Sequence, residues 1–429
     1  MVESRKRLAA LQSAVIAAFS VAVATPADAQ LLGHGLGGPL ALPAAQLPDV
    51  RGALDHATAP LDPPSLLASR GERLRALVRA HPRDLELGPT GDLIVRGAIL
   101  AVAPSPDVLA RAAEEGFTAQ GLPDALDLQI VRVKAPEGMS AAAALARLRK
   151  LDPQGAYDFD PIYGPSGLQD VAQDGARTPA AGAQRADVRI GLIDTGADVA
   201  HPALARARID QKGFASSEVV PAAHGTAVAS LIVGEDGRFE GVAPGATLMV
   251  ADVYGRSPTG GSGDLLVRAL AWAAARGARV INMSLVGPPN LVLGAAVRAV
   301  QARGILIVAP VGNDGPAAPP AYPASYPGVV AVTGVDRRGR VLIEAGHASH
   351  LDFAAPGAEV TAASLSGGFA TERGTSFAAP VVAARLALAE AKGGRTPAAA
   401  IAAVAAASRK GPGYGKGLVT PQVEAARGR

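Results

Sequence analysis

From Val188 onward, short apolar runs alternate with amphipathic stretches, and this alternation limits the fold more than any other feature of the chain. Val188–Ile193 is almost continuously apolar, interrupted only by Arg189 and Gly191. Thr247–Val253, Val280–Met283, Ile305–Val308 and Val329–Val335 have the same character. Between them, Ala227–Val233, Asp264–Ala275 and Leu291–Ala302 carry helical periodicity. Strands without a polar face must be covered on both sides, and parallel strands need a crossover, usually helical. The pattern therefore predicts an α/β fold over 187–429, a doubly wound and mainly parallel sheet. About half of the 429 residues are hydrophobic but only 3% are aromatic, so Ala, Val, Leu and Gly must fill the core.

A separate unit is expected upstream, over 91–163. Leu93–Val102 reads as a strand. Ser105-Pro106-Asp107 opens a helix, with Ser at the cap and Pro in the first position, and Gly116 stops it. Phe117–Leu122 is a short strand, Leu126–Val133 alternates apolar and polar residues, Ser140 starts an alanine-rich helix and Tyr157–Ile162 is a last strand. The order β-α-β-β-α-β predicts a small α+β sandwich. A Gly/Pro/Ala-rich linker follows over 164–186. Residues 30–90 read as a Pro/Gly/Ala-rich tether with a short basic helix at Gly71–Ala80, carrying Arg73, Arg75 and Arg79.

The N-terminus reads as an address. Arg5-Lys6-Arg7 precedes the apolar run Leu8–Ala24, and Ala27-Asp28-Ala29 fits a cleavage site, so residues 1–29 are expected to be a signal peptide. No later stretch is apolar enough for long enough to span a bilayer, so a secreted or periplasmic monomer is expected after signal removal. With 41 basic and 38 acidic residues the net charge is +3, too small for a dedicated nucleic-acid binder. With no Cys, the chain cannot form disulfides, thiolate metal sites or a Cys nucleophile.

Three short motifs carry chemistry. Ile193-Asp194-Thr195-Gly196 ends an apolar strand, while His224-Gly225-Thr226 and Gly374-Thr375-Ser376 each precede or open a helix. Ligand sites on open α/β sheets lie at the carboxyl ends of strands, where a carboxylate, an imidazole and a hydroxyl can converge. Together they equip a chain for acyl transfer. Asn313, in Val311-Gly312-Asn313-Asp314-Gly315, could donate its amide to an oxyanion, beside the Ser376 backbone N–H at a helix N-terminus. Each motif alone has a plainer reading. Ser376 could be a helix cap, Asn313-Asp314-Gly315 a turn and Asp194 a strand-end cap.

The chain from about Val188 resembles the subtilisin family of serine proteases. The resemblance rests on the order Asp, His, Asn, Ser, at spacings of 30, 89 and 63 residues. It rests equally on Ile190–Gly196 with His201-Pro202, His224–Ala229, Gly241–Pro244, Val280–Leu285, Gly312–Gly315, Ala355–Gly357 and Gly374–Pro380. It implies Asp194, His224 and Ser376 as a catalytic triad, Asn313 as oxyanion donor, polypeptide substrates and no cofactor. Substrate contacts are implied at Ser284, Leu285, Val286, Gly287, Pro310, Val311 and Gly312. It further implies that the small unit is a prodomain, which assists folding and then blocks the site.

Departures from the family pattern matter. Val286 stands where glycine is usual, and Pro310-Val311 replace small residues, so a narrower pocket is expected for the side chain preceding the cleaved bond. The family's calcium loop after the His helix is not evident in Val233–Glu240, and no metal site is expected. Two rival readings stand beside the hydrolase. One is an inactive scaffold of the same fold used for binding. The other is a homodimeric aspartic protease built on the Asp194-Thr195-Gly196 signature.

Overall fold

A computed structural model describes residues 63–122, 126–165, 168–169, 187–237, 239–365, 367–392 and 396–421. The expected signal segment 1–29 lies outside them. In chain order the first elements are helix α1 (Pro63–Ala80), strand β1 (Leu85–Leu87), β2 (Leu93–Val102), α2 (Pro106–Glu114), β3 (Thr118–Gly121), β4 (Ile130–Lys134), α3 (Ala141–Leu151) and β5 (Ala156–Pro161). The side chains of Ser105 and Ser140 accept bonds from Val108 N–H and Ala143 N–H, which starts α2 and α3 at those caps. The sheet is antiparallel throughout, with β2 between β4 and β5 and β3 outside β4. Its inner face meets α2 and α3 through Ile99, Val133, Leu145 and Leu148.

Three local readings change. The basic helix begins at Pro63 rather than Gly71, because Leu66, Leu74 and Leu77 form an apolar stripe, with Leu74 and Leu77 packing on Leu85, Leu93 and Val95. The supposed tether up to residue 90 thus contains α1 and β1, and β1 pairs with the start of β2. The alternation read from Leu126 becomes a strand only at Ile130, because Asp127 and Gln129 take φ of 58° and 47°.

The linker over 164–186 is the third change. Gly164–Pro165 forms β6 and Leu168–Gln169 forms β7. Gly-Pro does not favour a strand, and two residues such as Leu168-Gln169 are too few to show a period. Pairing imposes the extended form, β6 on β14 (Leu285–Val286) and β7 on β19 (Phe369–Arg373). The rest of the linker, 166–167 and 170–186, lies outside the described residues.

The large unit is built on seven strands. These are β8 (Arg189–Asp194), β9 (Arg208–Gly213), β12 (Thr247–Asp252), β13 (Val280–Met283), β15 (Leu306–Pro310), β16 (Val330–Val335) and β17 (Phe353–Pro356). Every pair is parallel, and the order is β17-β16-β15-β13-β8-β12-β9. The chain reverses direction across the sheet beside β8, so that strand lies at a switch point. Helices α4 (Ala223–Val233) and α7 (Thr375–Ala391) cover one face through Leu192, Val250, Val308 and Phe377. Helices α5 (Gly263–Ala275) and α6 (Leu291–Ala302) cover the other through Ile193, Met249, Ile281 and Ile307. Strand residues alternate between the two clusters, as period-two side chains must. Gly191 lets α5 approach, since a Cβ there would sit 3.1 Å from Ile281 and 3.3 Å from Ala273. Small hairpins β10 (Glu235–Asp236) with β11 (Phe239–Glu240), and β18 (Val360–Ala363) with β19, complete the unit. Among the described residues, no helix is long and apolar enough to cross a membrane.

Strand β5 joins the two units through two helix starts. Asp158 accepts from Leu291 N–H at 2.7 Å, at the first residue of α6. Asp160 accepts from Asp264 N–H at 3.1 Å, in the first turn of α5. Carboxylates at helix N-termini satisfy orphan donors and suit the helix dipole. Asp160 also pairs with Arg132 at 3.3 Å. Burial pushes both carboxyls above the usual carboxylate value, and for Asp160 the neighbouring Asp264 adds to the effect.

Candidate active site

Asp194 is the last residue of β8, at the carboxyl end of a central strand, and is buried. Its Oδ1 accepts from Thr195 N–H at 2.6 Å and lies 2.8 Å from His224 Nδ1. The Thr195 hydroxyl accepts from Gly225 N–H at 2.8 Å, which ties the start of α4 to the end of β8. His224 is therefore held from two sides, in the first turn of its helix. Its ring lies 5.4 Å from that of Phe377, tilted by 48°. Phe377 directly follows Ser376, so the imidazole sits beside the start of α7.

Ser376 is the second residue of α7. Gly374, the residue before the helix, has φ of 140°, a value that an L side chain resists. Asn313 Oδ1 accepts from Thr375 N–H at 3.0 Å. That bond fixes the amide: the oxygen turns toward the helix, and the NH₂ group is the other end of the same plane. Thr375 also donates its hydroxyl to Gly312 C=O at 3.3 Å.

Pro380 is the sixth residue of α7, one turn inside the helix, so it removes the N–H that would bond the Ser376 carbonyl. The Ser284 hydroxyl donates to that carbonyl at 3.1 Å instead. Asn282 Nδ2 in turn donates to the Ser284 hydroxyl at 2.7 Å. The Ser284 side chain thus holds the loop–helix junction at Ser376 rather than facing outward.

The remaining candidate contact residues separate into two groups. Val286, Gly287, Val311, Gly312 and Asn313 line one side of a cavity of about 300 Å³, whose other side is formed by α1, the start of β2 and the Ile162–Pro165 segment. Ser284 and Leu285 are fully buried, and Pro310 belongs to the buried end of β15. Val286 neighbours Gly312 in this wall: a Cβ at Gly312 would lie 3.5 Å from Val286 Cγ1. The edge strand β14 is paired antiparallel with β6, Leu285 opposite Pro165 and Val286 opposite Gly164. Leu168 pairs with Arg373, three residues before Ser376.

With this geometry, residues 185–414 match the subtilase family, Peptidase S8. The chain belongs to the subtilases, serine-type endopeptidases. It is 32% identical over 213 residues to the minor extracellular protease Epr of Bacillus subtilis, which is 48% of this chain and 33% of Epr. It is 34% identical over 233 residues to subtilisin DY of Bacillus licheniformis, covering 52% of this chain and 83% of that protein. The chain thus spans a third of the one relative's length and most of the other's. Fervidolysin from Fervidobacterium pennivorans shares the fold, with a TM-score of 0.65 at 21% identity over 79% of this chain and 61% of fervidolysin.

Sequence reasoning misses several groups around this subtilase's site. Thr195 and the Ser284 hydroxyl act through bonds that only the folded chain reveals. Arg373 bonds Glu344 at 2.8 Å, and Glu344 is wholly buried although nothing in its sequence neighbourhood marks it. Arg70 and Arg73 of α1 reach Asp314, next to Asn313, across more than 240 residues. A run of arginines on one helix was the only sequence signal for that contact.

Proposed function

We propose that this subtilase is an exported serine endopeptidase made as a latent precursor, with Ser376 as nucleophile and its own chain as first substrate. The observation that carries the reading is the 2.8 Å bond between Asp194 and His224, beside the helix that begins with Ser376. Ser376 Oγ attacks the peptide carbonyl while His224 Nε2 accepts its proton. Asp194 keeps the Nδ1–H tautomer and stabilises the imidazolium. The carbonyl oxygen becomes an oxyanion, met by the Asn313 NH₂ group and the Ser376 backbone N–H at a helix N-terminus. His224 then gives the proton to the departing amine, leaving an acyl-enzyme at Ser376. Water, deprotonated by His224, attacks that ester, and Ser376 recovers its proton as the acid leaves. None of these steps calls on a cofactor.

Polypeptide backbone suits the Leu285–Val286 edge, since an extended chain adds there as a strand. In the precursor β6 holds that edge, while β7 pairs beside Arg373. This supports self-cleavage within the three bonds from Pro165 to Leu168, with the unit before Gly164 acting as prodomain. The basic and apolar N-terminus favours export, and the similar protease Epr is named as extracellular.

The aspartic-protease reading fares worse, because Asp194 sits at a parallel strand end against an imidazole rather than in an all-β dyad. A fluorophosphonate probe decides among the three readings. Label on Ser376 supports the hydrolase. An unlabelled, folded chain without peptidase activity returns the inactive scaffold, and pepstatin-sensitive cleavage returns the aspartic protease. Sequencing the new N-terminus of the processed chain tests the bond: a start outside 166–168 rules out the self-cleavage register.

A further inference from the structure

The two oxyanion donors stand on segments far apart in the chain, Asn313 in the loop after β15 and the Ser376 N–H at the start of α7. Their relative position matters, because a misplacement of about 1 Å costs roughly 10² in rate. One direct link is the bond from Thr375 N–H to Asn313 Oδ1. A second link runs through Glu344. Its main chain brackets the asparagine loop: Gly315 N–H donates to Glu344 C=O at 2.9 Å, and Gly346 N–H, two residues on, donates to Gly312 C=O at 2.8 Å. The two segments lie close, since a Cβ at Gly346 would sit 2.5 Å from the Val311 carbonyl oxygen. The Glu344 side chain grips the strand that leads to the nucleophile. Arg373 Nη2 donates to its Oε2 at 2.8 Å, and Arg373 Nε lies 2.8 Å from its Oε1. Arg373 ends β19, and only Gly374 and Thr375 separate it from Ser376. The Glu344 side chain is wholly buried, whereas that of Arg373 is 25% exposed. One residue thus bonds the loop of one donor through its backbone and the approach to the other through its carboxylate.

Stability alone does not account for such a pair. Burying a carboxylate is costly, and apolar side chains of similar volume often serve a buried site as well or better. What a carboxylate facing a guanidinium fork adds is fixed geometry, with two contacts in one plane. We propose that Glu344 is a positioning residue for the oxyanion site, acting through Arg373 on the Ser376 N–H and through Gly315 on the Asn313 amide. The inference rests on the reading of Ser376 as nucleophile. Neither member of the pair touches the reacting atoms. Without the fork the two donors drift relative to each other, so the oxyanion loses stabilisation. Binding of the substrate backbone along the Leu285–Val286 edge is kept, and the loss falls on kcat rather than KM.

The test uses the full chain after it has processed itself, with fluorophosphonate labelling of the wild type on the same preparation. Glu344→Gln keeps the shape and removes the charge. It should lower kcat by about 10- to 10²-fold and leave KM within about twofold. Arg373→Lys keeps the charge but loses the fork, and should show the same split to a smaller degree. A double-mutant cycle with Asn313→Ala ties the effect to the oxyanion site. Glu344 acts in part by placing Asn313, so the combined loss should fall short of the product of the two by about threefold or more. Glu344→Leu/Arg373→Met separates positioning from stability. It removes both charges, so its urea midpoint in the Ser376→Ala background should lie close to that of Ser376→Ala alone, while kcat stays low. Should Glu344→Gln fail to mature, Arg373→Lys carries the same cycle, with the half-time of the first cut in place of kcat. Losses that multiply, a raised KM with kcat unchanged, or an apolar pair with the wild-type kcat overturns the positioning role alone. A wild-type chain that takes no label and cleaves no peptide overturns the hydrolase reading and this role with it.

Discussion

In the large unit the groups at the rim hang from backbone features a few atoms away. Asp194 ends a strand, His224 sits in the first turn of α4, Ser376 in the first turn of α7, and each is fixed by a bond to an adjoining backbone group or side chain. The small unit reaches the same rim differently. It sends Arg70 and Arg73 to Asp314, and Asp158 and Asp160 to the starts of two helices. The first arrangement is continuous with the sheet and cannot be removed without unfolding it. The second combines polar contacts with apolar packing across a boundary, where Leu100, Ile130 and Tyr163 share a buried cluster with Leu265 and Val292, and two short strand pairings, β6 and β7, follow it. On the proposed reading, the difference separates what performs chemistry from what is detached.

Four substitutions press on that contrast. Ser376→Ala should abolish turnover, by about 10⁶ as in subtilisin itself, and leave an uncut precursor in which the small unit stays docked. Intact processing in that variant, read by gel and mass, would break the link between the rim and maturation. Asn313→Ala should cost about 10² to 10³ in kcat, again the size of the loss in subtilisin, with little change in KM. Equal losses in both constants would make Asn313 a structural residue only.

Ser284→Ala sharpens the comparison by stability. It leaves the Ser376 carbonyl, already deprived of its helical donor by Pro380, buried without the Ser284 hydroxyl. Such a loss is worth about 1–3 kcal/mol, readable as a lower urea midpoint in the Ser376→Ala background. An unchanged midpoint would mean that the junction is held without that bond.

The smallest effect belongs to the boundary. Burial and Asp264 raise the Asp160 carboxyl above its ordinary value of 3.8. Its protonation therefore favours the docked fold: the contribution is full below about 3.8 and is lost as pH rises through the raised value. The melting temperature of Ser376→Ala relative to Ser376→Ala/Asp160→Asn should be highest at acid pH and decline toward neutrality. A difference that grows with pH would reverse the sign and remove Asp160 as a titrating contact.

The contrast also explains what could be read from the sequence. Asp194, His224, Asn313 and Ser376 each lie in a short motif because strand ends and helix starts are local, and local geometry needs specific neighbours such as Gly374 and Thr195. The parallel sheet was legible for a related reason: a strand buried on both faces, such as Val280–Met283, has no polar alternation to disguise it. Strand β9 was missed, since Arg208–Gly213 lies at the sheet edge and keeps its polar residues. β6 was missed because glycine and proline have no strand preference of their own, and β7 because Leu168-Gln169 is too short to show a period; only β14 and β19 draw them straight. The full length of α1 was hidden by Pro63-Pro64 and Gly71, which suggest a break. The pairing of Leu74 and Leu77 with β1 and β2 outweighs that tendency.

The pairing of β6 with β14 and of β7 with β19 has a kinetic consequence. A molecule already threaded along its own rim has no encounter to wait for. On the proposed reading, the half-life of the first cut is the same in a dilute and a concentrated solution. Every later substrate must arrive by diffusion, so the same rim passes from a clock to a second-order catalyst after a single event.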